Sequence, residues 1–165
     1  MPSPRIKVRL NKGAQGVSLL VLGAVAKETV AFLTKLSVDL DDPESAANWM
    51  ADDFTNNSVM FDVHRSRANR SSESVWRRGL RAVFSNDYSD AEMNVRVTPE
   101  TRSQFWRITE PLIGREKIQF GLESEGEEPM EWFEIDKESA LQAKEQQPEF
   151  YESYGEIQGV VHFLF

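Results

Sequence analysis

Asp62 and His64 stand two residues apart, the spacing at which side chains of a β-strand share a face. A carboxylate beside an imidazole is a minimal acid–base or metal-ligating pair. If the segments around Thr55-Asn56-Asn57 form a hairpin, Asp52 comes across the turn as a third group. Asp52, Asp62 and His64 are therefore the candidate set for a metal-dependent hydrolase. The bland alternative is a solvated hairpin face, on which Asp and His are common. The other histidine, His162, lies among apolar neighbours and reads as a packed or interface residue.

A second constellation is cationic. Residues 65–81 carry six arginines, Arg65, Arg67, Arg70, Arg77, Arg78 and Arg81, against Glu73 alone. Forked guanidiniums suit phosphate or carboxylate, and Trp76 within the block could stack on a base or on an arginine. The opposing expectation is internal neutralisation, because residues 39–64 hold seven acids without a Lys or Arg, and residues 121–165 hold twelve acids against Lys137 and Lys144. Residues 1–38 are again basic, with six Lys and Arg against one Glu. The formal net charge of -8 is thus an average over opposed blocks, and as an average it disfavours nucleic acid and anionic lipid.

Other chemistries are absent from the sequence. With no cysteine there is no disulfide, thiolate zinc site, iron–sulfur cluster or cysteine nucleophile. Gly13 and Gly16 precede a helix without the Gly-Lys-Ser/Thr ending of a phosphate loop, and they read as turn residues. The stretch Asp39-Leu40-Asp41-Asp42-Pro43-Glu44 lacks the glycine and the twelfth-position glutamate of a calcium loop, and it reads as a solvated connection. No Gly-x-Ser-x-Gly elbow, His-Glu-x-x-His pair, dinucleotide fingerprint or deaminase signature occurs, so no cofactor is expected.

These residues need elements to hold them. Ile6, Val8 and Leu10 alternate with Arg5, Lys7 and Arg9, predicting a half-buried strand with a wholly basic outer side. Ser18 can cap a helix running to about Asp39, with Leu19, Leu22, Val25, Thr29, Phe32, Leu36 and Leu40 at helical spacing. The basic residues followed by Val17–Ala26 have the layout of a secretory signal. The apolar spacing, however, continues past the cleavage position through Leu36, and the run is too short for a membrane span, so a packed helix and a cytoplasmic location are expected. The hairpin predicts Trp49, Ala51, Val59, Phe61 and Val63 on one face, with Asn48, Met50, Asp52, Met60, Asp62 and His64 on the other.

Further along, Ser71 or Ser72 can start a helix over 72–84 that buries Val75, Trp76, Leu80 and Val83. A strand over 93–97 leads to Thr98-Pro99, an N-cap followed by proline at the first helical position, and a helix carrying Phe105, Ile108 and Leu112 inward. A second hairpin spans 117–123 and 130–135, Asp136 caps a last helix ending before Pro148, and an apolar strand runs from Ile157 to Phe165. The four tryptophans fall in four separate elements and read as core.

The segment Gly155-Glu156-Ile157-Gln158-Gly159-Val160-Val161-His162 resembles the opening strand of a small β-barrel module that follows an N-terminal domain in a functionally uncharacterised bacterial protein family. The resemblance implies that residues 155–165 begin a truncated second module, and it brings no activity with it.

The expectation is one α+β domain over residues 1–165, a mostly antiparallel sheet built from hairpins and packed with about four helices. The function itself is not written in the sequence. The leading reading is a non-enzymatic protein-interaction or regulatory module with a protein partner or a second copy, motivated by the opposed charge blocks and the apolar end. Nucleic-acid or other anion binding through Arg65–Arg81 and metal-dependent hydrolysis through Asp52, Asp62 and His64 are the alternatives.

Overall fold

A computed structural model of the chain describes residues 5–10, 16–55, 59–65, 73–85, 97–122 and 131–145. The described residues form four helices and five strands, an α+β arrangement with one antiparallel sheet. Strand β1 (Ile6–Leu10) lies at the centre of the order β2-β3-β1-β4-β5. On one side it pairs with β3 (Val59–Arg65) of the hairpin begun by β2 (Trp49–Thr55), and on the other with β4 (Ile118–Leu122), which pairs in turn with β5 (Glu131–Ile135). The first strand therefore joins two hairpins separated by more than fifty residues of chain.

Period-2 alternation decides the two sheet faces. Ile6, Val8 and Leu10 are fully buried, with Phe61, Ile118 and Phe120 beside them on the inner face. Helix α1 (Leu19–Asp39) covers this face and packs on α3 (Pro99–Arg107), Phe32 meeting Phe105 at 5.2 Å between ring centres. Helix α2 (Glu73–Ser85) inserts Trp76 edge-on to Trp49 at 5.5 Å. Phe84 of the same helix contacts Phe105 at 4.7 Å and Phe133 at 4.6 Å, tying α2 to α3 and β5. Helix α4 (Lys137–Glu145) packs on α3 and buries Ala140.

The helix starts follow their capping residues. Ser18 accepts the backbone N–H of Leu20, Thr98 accepts that of Thr101 with Pro99 in the first turn, and Asp136 accepts that of Ser139 at 2.7 Å. Asp39 at the end of α1 in turn accepts the N–H of Thr98 at 3.0 Å, so one carboxylate links the close of α1 to the opening of α3.

Several expectations need correcting. Of the four tryptophans read as core, Trp132 is only half-buried and lies under the Arg9 guanidinium, and Asn48 belongs to a short 3-10 helix, Ala46–Asn48, rather than to the outer face of the hairpin. Leu19 is 83% exposed, because the buried stripe of α1 runs back through Val25 to Val21 and stops there. The Asp39–Glu44 connection is not a solvated loop: Asp42 is buried, for a reason that lies in β3. The expected strand over 93–96, the serines proposed to start α2, both hairpin turns and the strand from Ile157 to Phe165 lie outside the described residues.

Candidate functional site

The outer sheet face brings the three acid–base candidates together. The hairpin register sets Asp52 directly opposite Asp62, and β1 sets Lys7 against Asp62 from the other side. Two carboxylates side by side across strands repel unless cations intervene. Here the Arg5 guanidinium lies 3.3 Å from Asp52 Oδ1 and 3.4 Å from Asp62 Oδ2, and Lys7 Nζ donates to Asp62 Oδ1 at 2.8 Å. The Asp62 side chain is only 3% exposed whereas that of Asp52 is 42% exposed, so the first anchors the cluster and the second reaches water. His64 Nε2 stands 2.9 Å from Asp52 Oδ2, and its Nδ1 stands 3.1 Å from the carbonyl oxygen of Arg65.

This geometry limits the chemistry. Both imidazole nitrogens face oxygen acceptors, leaving no ring lone pair directed at a substrate. Among the described residues no serine or threonine hydroxyl is bonded to His64 in place of its carboxylate and carbonyl partners. Cations fill the space between the carboxylates, and among the described residues no three His, Asp or Glu converge as a metal-binding group. The arrangement does electrostatic work within the sheet: it ties β2, β3 and β1 together across their outer face. The basic side of β1 was legible in the sequence. Its partnership with Asp52 and Asp62 was not, because it depends on which strand β1 pairs with.

The arginine block is divided between environments. Arg65 follows Phe61 and Val63 on the inner face and is buried there. Its Nη1 donates to Asp42 at 2.5 Å, while its Nη2 and Nε donate to Glu44 at 2.7 and 3.1 Å. The guanidinium carbon lies 5.8 Å from the Trp49 ring centre and 6.0 Å from that of Trp76, so the cation beside Trp76 is an arginine of the same block. Trp76 is wholly buried and presents no face to a nucleobase.

Burial opposes the charge on Arg65, but its bonds to Asp42 and Glu44 outweigh that and raise its pKa. A hydrogen bond from the Asn48 amide, followed by that from Arg65, holds the Glu44 carboxyl below its ordinary value. Arg81 makes a forked pair with Glu131 of β5, with Nη2 2.7 Å and Nε 3.0 Å from the same oxygen. Arg77 and Arg78 are half-buried on α2 and each has an interaction partner, while Arg67 and Arg70 lie outside the described residues. Arg9, on the outer face, donates to Gln119 at 2.8 Å and stacks 4.0 Å over the Trp132 ring.

A third feature had no counterpart in the sequence reading. Among the described residues β2 ends the sheet, and it carries exposed apolar side chains. Met50 is 48% and Phe54 65% exposed, and Ala51 is exposed between them. The register shifts between Asp52 and Thr55, and past this irregularity the Phe54 ring stacks on the inner-face ring of Phe61 at 5.4 Å. Strict alternation could not have placed it there. A cavity of about 60 Å³ opens beside this strand, between Ala26, Thr29 and Val30 of α1 and Trp49, Ala51 and Phe61 of the hairpin. Two groups bordering it, the Thr29 hydroxyl and the Trp49 indole N–H, are buried without a hydrogen-bond partner.

Comparison of the chain with protein families, with characterised proteins and with solved structures finds no match. Among the described residues no helix is long and apolar enough to cross a membrane.

Proposed function

We propose that the chain is a non-enzymatic protein-interaction module that receives an extended segment of a partner along the outer edge of β2. The observation that carries this reading is the concentration of exposed apolar side chains, Met50, Ala51 and Phe54, on one sheet edge beside a small open cavity. A strand added to a sheet edge gains main-chain hydrogen bonds, and alternate side chains gain pockets on the flank. The balance of the neighbouring charge supports a particular partner. Asp52 lies in the same strand with its side chain 42% exposed, so a Lys or Arg among the apolar residues of the segment complements this edge. Closure of the Asp52–His64 cluster by Arg5 and Lys7 supports a binding role over an acid–base one.

Selection of a displayed random-peptide library on the intact protein, with Phe54→Asp as the counter-selected variant, tests the proposal. Enrichment of alternating apolar sequences carrying Lys or Arg, lost on Phe54→Asp, is the expected result. A library in which nothing distinguishes wild type from Phe54→Asp would overturn it.

A further inference from the structure

His64 stands on β3 beside the β2 edge, directly opposite Met50 in the hairpin register. Its Nε2 lies 2.9 Å from Asp52 Oδ2 and its Nδ1 3.1 Å from the carbonyl oxygen of Arg65. A carboxylate and a carbonyl only accept, so the two contacts are satisfied together only when both ring nitrogens carry a proton, as in imidazolium. A neutral ring has one N–H for two acceptors and gives one contact up. Among the described residues, the charged groups around the ring are Asp52 of β2, Asp62 of β3, Arg5 just before β1 and Lys7 within it. Arg65, next in the chain, points to the inner face, where Asp42 and Glu44 take up its charge. Arg5 and Lys7 balance Asp52 and Asp62, so a proton on His64 leaves the cluster with a surplus positive charge. The His64 side chain is 24% exposed and that of Asp52 42%, so solvent and a ligand can both reach the pair.

We infer that His64 makes the β2 edge a proton-sensitive binding surface. In mild acid the imidazolium holds Asp52 against a lysine or arginine of the docked segment, and at higher pH the uncharged ring yields that carboxylate to the segment. This regulation belongs to the edge-docking site proposed above and rests on that reading. Histidine ordinarily changes charge between about pH 5 and 8, whereas lysine and arginine of the segment stay charged throughout that range. The proton that decides the matter is therefore on the protein's side. By linkage, the proton on His64 and the cationic segment weaken each other's binding by the same factor.

The probes are two rhodamine-labelled peptides about ten residues long, one alternating valine with lysine and the other valine with glutamine. Each is titrated against the intact protein by anisotropy at about pH 5.5 and about pH 8, at one ionic strength. The lysine peptide should bind wild type about threefold more weakly at the lower pH, the size of one exposed charge interaction, while the glutamine peptide should bind alike at both. His64→Gln should hold the lysine peptide at the higher affinity at both pH values, and His64→Lys should hold it at the lower. A lysine peptide that binds wild type equally at the two pH values, or a pH dependence that survives in His64→Gln, overturns the inference and leaves the edge reading standing. If neither peptide binds at either pH, or if Phe54→Asp leaves binding unchanged, the edge reading itself fails and the regulation falls with it.

Discussion

Replacing Arg65 by methionine is the sharpest test of how this fold is held together. The guanidinium is buried beside the Trp49–Trp76 pair and neutralises Asp42, itself buried, together with the nearly buried Glu44. Methionine roughly keeps the volume but removes three charge-assisted hydrogen bonds, to Asp42 at 2.5 Å and to Glu44 at 2.7 and 3.1 Å. Each such bond contributes about 1.5–3 kcal/mol in isolation. Their sum overstates the effect, because the pair also had to be stripped of water. The better guide is the cost of leaving buried charge without its partner, about 3–5 kcal/mol.

Urea unfolding near neutral pH reads this directly. With a slope of about 2 kcal/mol/M the midpoint of Arg65→Met falls by about 1.5–2.5 M. Adding Asp42→Asn to Arg65→Met should cost less than the same change in wild type, the signature of coupled groups. A midpoint loss equivalent to less than about 1 kcal/mol, or additive behaviour of the two substitutions, would refute the account of Arg65 as the neutralising hub of the acidic loop.

The same network fixes a pH dependence: Glu44 is held below its ordinary value of 4.5, so in that range the folded protein binds fewer protons than the unfolded chain. Its stabilisation is therefore complete above that value and lost as pH falls through the folded pKa, and urea midpoints measured through the acid range should fall more steeply in wild type than in Arg65→Met. Two helix glycines should respond oppositely to alanine. Gly23 has nothing within 4 Å of a built Cβ, so Gly23→Ala should stabilise by about 1 kcal/mol, whereas at Gly79 the new atom would lie 2.8 Å from a methyl of buried Leu40, and Gly79→Ala should lower the melting temperature. On the outer face, Asp62→Ala should cost about 1–3 kcal/mol because the carboxylate is buried beneath Lys7 and Arg5, while Asp52→Ala, half in water, should cost at most about 1 kcal/mol in the same denaturation assay.

Local sequence determined most elements here because the signals are short-range. Ser18, Thr98-Pro99 and Asp136 announce helix starts through hydrogen bonds within three residues of themselves, and the alternation of Ile6, Val8 and Leu10 with Arg5, Lys7 and Arg9 assigns the two faces of β1 without reference to anything else. The faces of the first hairpin were equally legible, down to the juxtaposition of Asp52, Asp62 and His64.

What tertiary structure alone decided is the role of each charge. Arg65 follows the inward parity of Phe61 and Val63, yet nothing local says that an arginine will be buried there. That requires the Asp42–Glu44 connection, more than twenty residues earlier, to pack against the end of β3. Arg5 and Lys7 close the acid–base cluster only because β1 inserts between two hairpins, a choice made by long-range strand pairing. The exposed Phe54 owes its position to an irregularity in pairing that a strict two-residue period cannot express. Periodicity is written in neighbouring residues, whereas charge pairing depends on which distant segments meet, and for this chain the charge pairing separates interior salt bridges from surfaces open to a partner.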